Sequence, residues 1–396
     1  MRILLASSAS YAPPRGGSTR SNLAWLRHLA RAGHACRVVC GGEVAGGWTA
    51  LEPNIEVRPV PDGSARAEAL RETIDSWTPD RVLVSSEDLS HTLLRAASRA
   101  AGDRLVYIAH TPQFFPFGHE SWNADRPAAE MVAGAAGVVA ISHFVARYIG
   151  RELGVTPAVI HPPIYGAPPH PRYRNFARGL VLMINPCEVK GIDILLGVAQ
   201  RMPDVEFGAL RGWGTTRRDV ERIEACHNIR LLEPVRDIDE LLRNTRVLLM
   251  PSLWCEGFGL IVMEAMLRGV PVVASNSGGL AEAKAGTQYV IPVKPIDRYG
   301  LEFDENHLPK VVVAHQEIGL WVAALQRLLT DAVEYHAESE RSLAAAGSFV
   351  AGLDAAQFEY YLLGLQPAAS VTAARPALSA ARRALLEKLL RAKGQR

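Results

Sequence analysis

The sequence predicts an α/β fold of two Rossmann-like domains facing a central cleft, and three observations lead there. Short apolar runs alternate with helix-patterned stretches through most of the chain, which is the pattern of βαβ units on a parallel sheet. A chain of 396 residues exceeds what one hydrophobic core comfortably serves, so two domains are expected. Near the middle lies HPPIYGAPPHPRYRN, residues 161–175, whose prolines and lack of periodicity mark a linker.

The elements follow in order. RILLAS reads as the first strand: its apolar run meets Pro13 and Pro14 too soon to be a signal-peptide core or a membrane span. NLAWLRHLARAGH reads as the first helix and CRVVCG as the next strand, followed later by DRVLVSS, RLVYIAH, GVVAIS and AVIHPP. A second series opens with LVLMIN and continues through VEFGAL, IRLLEP, RVLLMPS and VPVVAS. This gives an N-terminal domain over 1–165, a linker over 166–177 and a C-terminal domain over 178–350. A helix over 351–364 is expected to return to the first domain, and 365–396 form a spacer and a basic tail.

Bulk composition excludes several classes. Hydrophobic residues at 48% and charged residues at 21% fit a soluble globular protein, and a formal net charge of +2 argues against a dedicated nucleic-acid binder. The five cysteines are scattered without paired CxxC spacing, so neither a disulfide framework nor a zinc site is expected and a cytoplasmic location fits best.

Chemistry is expected at strand-to-helix junctions, which in such sheets open toward the ligand crevice. In PPRGGSTRSN, Gly16 and Gly17 let the backbone approach an anion or a sugar, or make a plain turn; the GxGxxG dinucleotide fingerprint is missing, which disfavours a dehydrogenase. In LMINPCEVKGID, Lys190 follows the strand ending at Asn185 and can meet a diphosphate as a point charge, or lie as an ordinary surface lysine. His110 ends a strand and faces the same crevice, while Glu87 and Asp88 after another strand either bind an acceptor or cap the next helix. Gly278 and Gly279 in SNSGGLAEA either line the cleft or make a turn.

The sharpest signal is CEGFGLIVMEAMLRGVPV, residues 255–272. Gly257 and Gly259 precede a helix whose first amides point into the cleft, a setting for a diphosphate. Glu256 would repel a phosphate in contact and should address neutral sugar hydroxyls instead. Taken as two positions of one helix, Glu256 and Glu264 would stand roughly 80° apart. Glu264 sits in an apolar run, where an ionised carboxylate needs strong partners. Two vicinal ribose hydroxyls would serve, and so would a partner within the protein.

These motifs, in this order, resemble retaining glycosyltransferases of the GT-B fold, the large family that includes bacterial mannosyl- and glucosyltransferases and sucrose synthase. The resemblance covers roughly residues 1–364, and its most specific part is PSLWCEGFGLIVMEAMLRGVPVVASNSGGLAE, similar to the family's E-x7-E segment. It implies that Glu256 contacts the transferred sugar, that Gly257, Phe258, Gly259 and Leu260 serve sugar and diphosphate, that Glu264 binds the ribose and that Lys190 binds the diphosphate. Gly17 would approach the donor from across the cleft, and His110 would sit near the reacting face of the sugar. The family commonly has an arginine five residues before the lysine, where this chain has Asn185; Arg211 and Arg15 are the candidates for the missing cation.

The resemblance further implies a metal-independent enzyme with no bound cofactor, using a nucleoside-diphosphate sugar, UDP- or GDP-linked, as co-substrate. Anomeric configuration would be retained, a phosphate oxygen of the leaving group helping to deprotonate the acceptor hydroxyl. Phe114, Phe115, Phe117 and Trp122 suggest an acceptor with apolar surface, such as a lipid or peptide natural product, and packing within their own domain explains them equally. Two other readings stay open: a GT-B phosphorylase, and a noncatalytic sugar-nucleotide-binding or scaffold protein.

The tail stands apart. In LSAARRALLEKLLRAKGQR, Leu385, Leu386, Leu389 and Leu390 form an apolar stripe surrounded by Arg382, Arg383, Lys388, Arg391 and Lys393. The segment resembles the leader ahead of condensation domains in nonribosomal peptide synthetases, which implies contact with such a megasynthase. A basic amphipathic helix on an anionic membrane surface is the other reading.

Overall fold

The computed structural model describes residues 1–14, 16–43, 46–235 and 237–365. The first sheet holds β1 (Arg2–Ser10), β2 (Ala35–Gly41), β3 (Thr49–Glu52), β4 (Ile55–Pro59), β5 (Arg81–Ser85), β6 (Leu105–Ala109), β7 (Gly137–Ala140) and β8 (Ala158–Val159) in the order β3-β4-β2-β1-β5-β6-β7-β8. All of its pairings are parallel except β3 on β4. The second sheet holds β9 (Leu180–Ile184), β10 (Phe207–Leu210), β11 (Ile229–Leu232), β12 (Thr245–Met250), β13 (Val272–Ser275) and β14 (Val290–Ile291), all parallel, in the order β11-β10-β9-β12-β13-β14.

Each apolar run read as a strand forms one. The reason is visible in burial: Ile3, Leu4 and Leu5 of β1, and Val247, Leu248 and Leu249 of β12, are fully enclosed between helices on both faces. Two features lay beyond the pattern. The edge pair β3–β4 is short and half-polar, and β15 (Ile296–Phe303) pairs antiparallel with β16 (Pro309–Val313) as a separate arm.

Strand order reverses direction between β1 and β5 in one sheet and between β9 and β12 in the other. Ligands of open α/β sheets bind at such switch points, outside the carboxyl ends of the strands. Here the two switch points face each other.

The halves are tied at several places. One apolar cluster runs from β1 and β6 into Leu248, Met263 and Val272 of the second half, while the opposite face of the second sheet has its own core around Trp321 and Tyr335. Glu282 of the second half accepts the amides of His143 and Phe144 at 2.9 and 2.8 Å, at the start of the first-half helix His143–Leu153. Burial pushes the Glu282 carboxyl up, but hydrogen bonds from His161 and those two amides prevail and hold it below the usual range. The helix Gln357–Gly364 packs on the helix Gly17–Arg31, with Phe358 stacked on Trp25 at 4.8 Å.

Among the described residues no helix is long and apolar enough to cross a membrane. The expected megasynthase- or membrane-binding tail, beyond residue 365, lies outside the described residues.

Candidate functional site

A cleft of about 950 Å³ opens between the two switch points. Its lining includes Gly16, Gly17, Glu87 and His110 from the first half, and Asn185, Lys190, Glu256, Gly257, Phe258, Gly259, Leu260 and Glu264 from the second. These residues, each expected from the sequence, are thus brought to one cavity although they span nearly 250 residues of chain.

Glu256 lies in the loop between β12 and the helix Leu260–Met266, not on the helix itself, so the roughly 80° helical separation from Glu264 does not apply. The loop turns the carboxylate to Lys190, whose ammonium donates to Oε1 at 2.5 Å, and the Ser252 hydroxyl donates to the same oxygen at 2.8 Å. Trp254 and Trp213 flank the ammonium at 5.1 and 5.6 Å from their ring centroids. Lys190 is therefore a positioned cation in a half-aromatic setting rather than a solvated surface lysine.

Gly257 is required by a close approach between the halves. A Cβ there would lie 2.0 Å from the His110 carbonyl oxygen, and the Ser142 hydroxyl donates to the Gly257 carbonyl at 2.6 Å. Gly278 and Gly279 line no part of the cleft; they support the Glu256 loop from behind, where a Cβ on Gly278 would meet the Glu256 backbone at 2.3 Å.

Glu264 is 5% exposed. Its partner in the structure is within the protein: Arg20, on the first helix of the other half, donates to Oε1 at 2.5 Å. Arg20 went unnoticed in the sequence because nothing in TRSN distinguishes it and its partner is 244 residues away. Its spacing of three from Gly17, one helical turn, was the available signal.

His110 is buried at the end of β6. Asn22 donates its amide hydrogens to Tyr11 and Ser85, which leaves its oxygen facing His110 Nε2 at 2.9 Å. Nε2 must then carry the proton, an assignment made from the network. Burial lowers the imidazole pKa, against an opposing pull from Glu87, so the ring is neutral. Nδ1 finds no partner among the described residues and is an acceptor.

Glu87 and Asp88 separate. Asp88 accepts the Leu93 amide at 2.6 Å and caps the next helix, whereas Glu87 lines the cleft. The aromatic loop divides too: Phe115 and Phe117 are core residues, while Phe114 and Trp122 join Trp254 along the cleft wall. The arm β15–β16 contributes His307 and Leu308 to the lining and reaches the first half, where the Tyr299 hydroxyl donates to Glu120 at 2.9 Å.

Asn185 occupies a left-handed backbone conformation, φ 58°, which asparagine tolerates better than arginine. Its Oδ1 accepts the Gly214 amide at 2.9 Å and its Nδ2 has no partner among the described residues. The expectation that Arg211 supplies the missing cation fails: Arg211 does not line the cleft and pairs with Glu233 at 3.7 Å. Arg15 lies outside the described residues.

Residues 15–165 match the family description Glycosyltransferase Family 4, and residues 179–301 match Glycosyl transferases group 1. A segment of 96 residues is 40% identical to the "Uncharacterized 41.2 kDa protein in cps region" of Klebsiella pneumoniae, spanning 24% of this chain and 26% of that protein. Sucrose-phosphate synthase from Thermosynechococcus elongatus superposes with a TM-score of 0.66 at 15% identity, over 92% of this chain and 97% of that one. Anabaena Alr3699/HepE, solved in complex with UDP and glucose, superposes with a TM-score of 0.64 at 18% identity, over 91% of this chain and 99% of that one.

Proposed function

The chain belongs to the glycosyltransferases of Family 4 and group 1, and on that premise we propose that it moves a sugar, with retention, from a nucleoside-diphosphate sugar to an acceptor hydroxyl. The observation that carries this reading is the convergence of Lys190, Glu256, Glu264 and His110 on one cleft at facing switch points.

The roles follow from charge and geometry. Lys190 meets the diphosphate and stabilises the negative charge that grows as the sugar departs. The first amides of the Leu260–Met266 helix, with Gly257, Phe258 and Gly259 before them, offer further donors to sugar and phosphate. Glu256, positioned by Ser252 and Lys190, accepts from sugar hydroxyls. Glu264 accepts from the ribose hydroxyls, and the bare Nδ1 of His110 accepts from a hydroxyl on the sugar face that reacts.

Gly16 and Gly17 bring the backbone of the first half to the donor, and Asn185 offers its Nδ2 hydrogens. No resident metal or cofactor is required in this scheme, since Lys190 supplies the cation. A phosphate oxygen of the leaving group takes the acceptor proton on the face from which it departs. The solved Anabaena complex supports a UDP-sugar as the first donor to test. Leu89, Phe114 and Trp122 along the cleft support an acceptor with an apolar portion, a lipid or peptide natural product.

The experiment is nucleotide release and donor hydrolysis by mass spectrometry across UDP-, GDP- and ADP-sugars with chelator present. Wild type is compared with Lys190→Ala and Glu264→Ala. Selective turnover of one donor, lost in both variants, is the expected result. Absence of turnover and of nucleotide binding for every donor overturns the reading.

A further inference from the structure

The cleft as described is short of positive charge for a diphosphate. Among the described lining residues, Lys190 and Arg20 are the only lysine or arginine side chains. Asn185, on the second-half wall, is neutral and its oxygen is already engaged by the Gly214 amide. Lys190 is shared with Glu256. One cation remains whose part in ligand binding has not been assigned, and it comes from the opposite half.

Arg20 is held where the N-terminal ends of two helices meet across the cleft. Gly17 lies against Leu260, since a Cβ on Gly17 would come within 3.1 Å of Leu260 Cδ1. Arg20 stands one turn beyond Gly17 and Glu264 one turn beyond Leu260, so the contact between the helices is repeated as an ion pair of 2.5 Å. The two residues differ in exposure: Glu264 is buried, whereas the Arg20 side chain is 45% exposed. The carboxylate is held in place by its helix, whereas the guanidinium reaches it from the open side and can leave.

We propose that Arg20 exchanges partners when the donor enters. Before a donor binds it pairs with Glu264, a buried carboxylate whose other nearby cation, Arg268, is engaged by Asp239 and by the Glu264 backbone carbonyl. When a nucleoside diphosphate binds, the two ribose hydroxyls replace Arg20 on Glu264, and the guanidinium turns to the diphosphate. Its planar fork matches phosphate oxygens in pairs. Arg20 is then the second diphosphate cation, supplied by the N-terminal half in place of one at position 185. Because Arg20 and Lys190 sit on different halves, a diphosphate held by both also holds the halves together. This inference rests on the donor-site reading above.

The exchange makes an unusual demand on a single substitution, because Arg20 competes with the ribose for Glu264 but assists the diphosphate. The test is calorimetric titration of wild type, Arg20→Met and Arg20→Lys with UDP, GDP and ADP, each beside its parent nucleoside. Thermal melts serve as the folding control. Wild type is expected to bind one diphosphate saturably. Arg20→Met should weaken that diphosphate by at least about tenfold while its nucleoside binds as well as before or more tightly, and Arg20→Lys should recover part of the loss.

Loss of nucleoside and diphosphate by the same factor in Arg20→Met would overturn the exchange, reducing Arg20 to a support for Glu264. Unchanged binding of both would also overturn it, with the donor site itself left standing. Wild type that binds none of the three diphosphates would remove the donor site and the exchange together.

Discussion

Lys190 and Glu256 are 66 residues apart and belong to the same half of the molecule, whereas Arg20 and Glu264 are 244 residues apart and belong to different halves. Both pairs are 2.5 Å apart, yet they depend on different things. The first is assembled by local packing: both side chains are about equally enclosed, Ser252 shares the carboxylate, and two tryptophans bound the ammonium. The second exists only while the halves are docked. The chemistry proposed for the leaving group therefore rests on a preformed pair, and the proposed grip on the nucleotide rests on one that spans the two halves.

The largest effect should come from the preformed pair. Lys190→Ala removes the cation nearest the departing diphosphate and leaves Glu256 without its counter-charge. Nucleotide release should fall by about 10²–10³-fold, the usual cost of removing one preorganised stabilising group. Steady-state assays with the active donor check this, and a fall of less than tenfold would mean that the pair is structural.

Gly257→Ala breaks the other side of the comparison, since it adds a Cβ 2.0 Å from the His110 carbonyl oxygen and strains the docking on which the Arg20–Glu264 pair depends. The cost of overpacking such a contact is about 1–3 kcal/mol. A lowered melting temperature and a larger radius of gyration by small-angle scattering are expected, with donor turnover reduced alongside.

Acid should loosen the same docking through Glu282. Its carboxyl is held below the usual range in the folded protein, so the unfolded chain binds the proton more readily. The stability it contributes is present above the ordinary glutamate pKa of about 4.3 and is lost as pH falls through the folded value. Glu282→Gln should melt lower than wild type at pH 7, by about 1–2 kcal/mol in stability, with the two converging below about pH 4. Melting curves across pH 3.5–7.5, an interval set about that pKa, read the difference.

The smallest effect is expected at Trp213, which is 52% exposed and touches Lys190 only through its ring face. Trp213→Ala should weaken nucleotide binding by less than about fivefold, in keeping with roughly 0.5–1 kcal/mol for an exposed cation–π contact.

How much of this the sequence allowed one to read depends on range. The buried strands were legible because enclosure on both faces demands an unbroken apolar run, as in RVLLM, and the glycines around Glu256 were legible because a loop at a strand end has few other uses for them. The arm β15–β16 was not, because IDRYGLEF has neither an unbroken apolar run nor a regular alternation and is mostly exposed. Its role appears only when Tyr299 meets Glu120, 179 residues earlier. Glu264 was recognised as anomalous from its neighbours alone, but the identity of its partner was settled by the juxtaposition of two helices from different halves. Likewise nothing in the stretch FFPF separates Phe114, which faces the cleft, from Phe115, which is core.

The most direct test of the central claim, that the second half's wall of this cleft holds the nucleotide, is hydrogen exchange read by mass spectrometry with and without a saturating nucleoside diphosphate from the UDP, GDP and ADP set. The account predicts protection in the peptides covering 185–191 and 254–264, together with the segment 16–21 from the other half. Saturable binding that protects neither of the two second-half segments would place the nucleotide elsewhere and contradict the account.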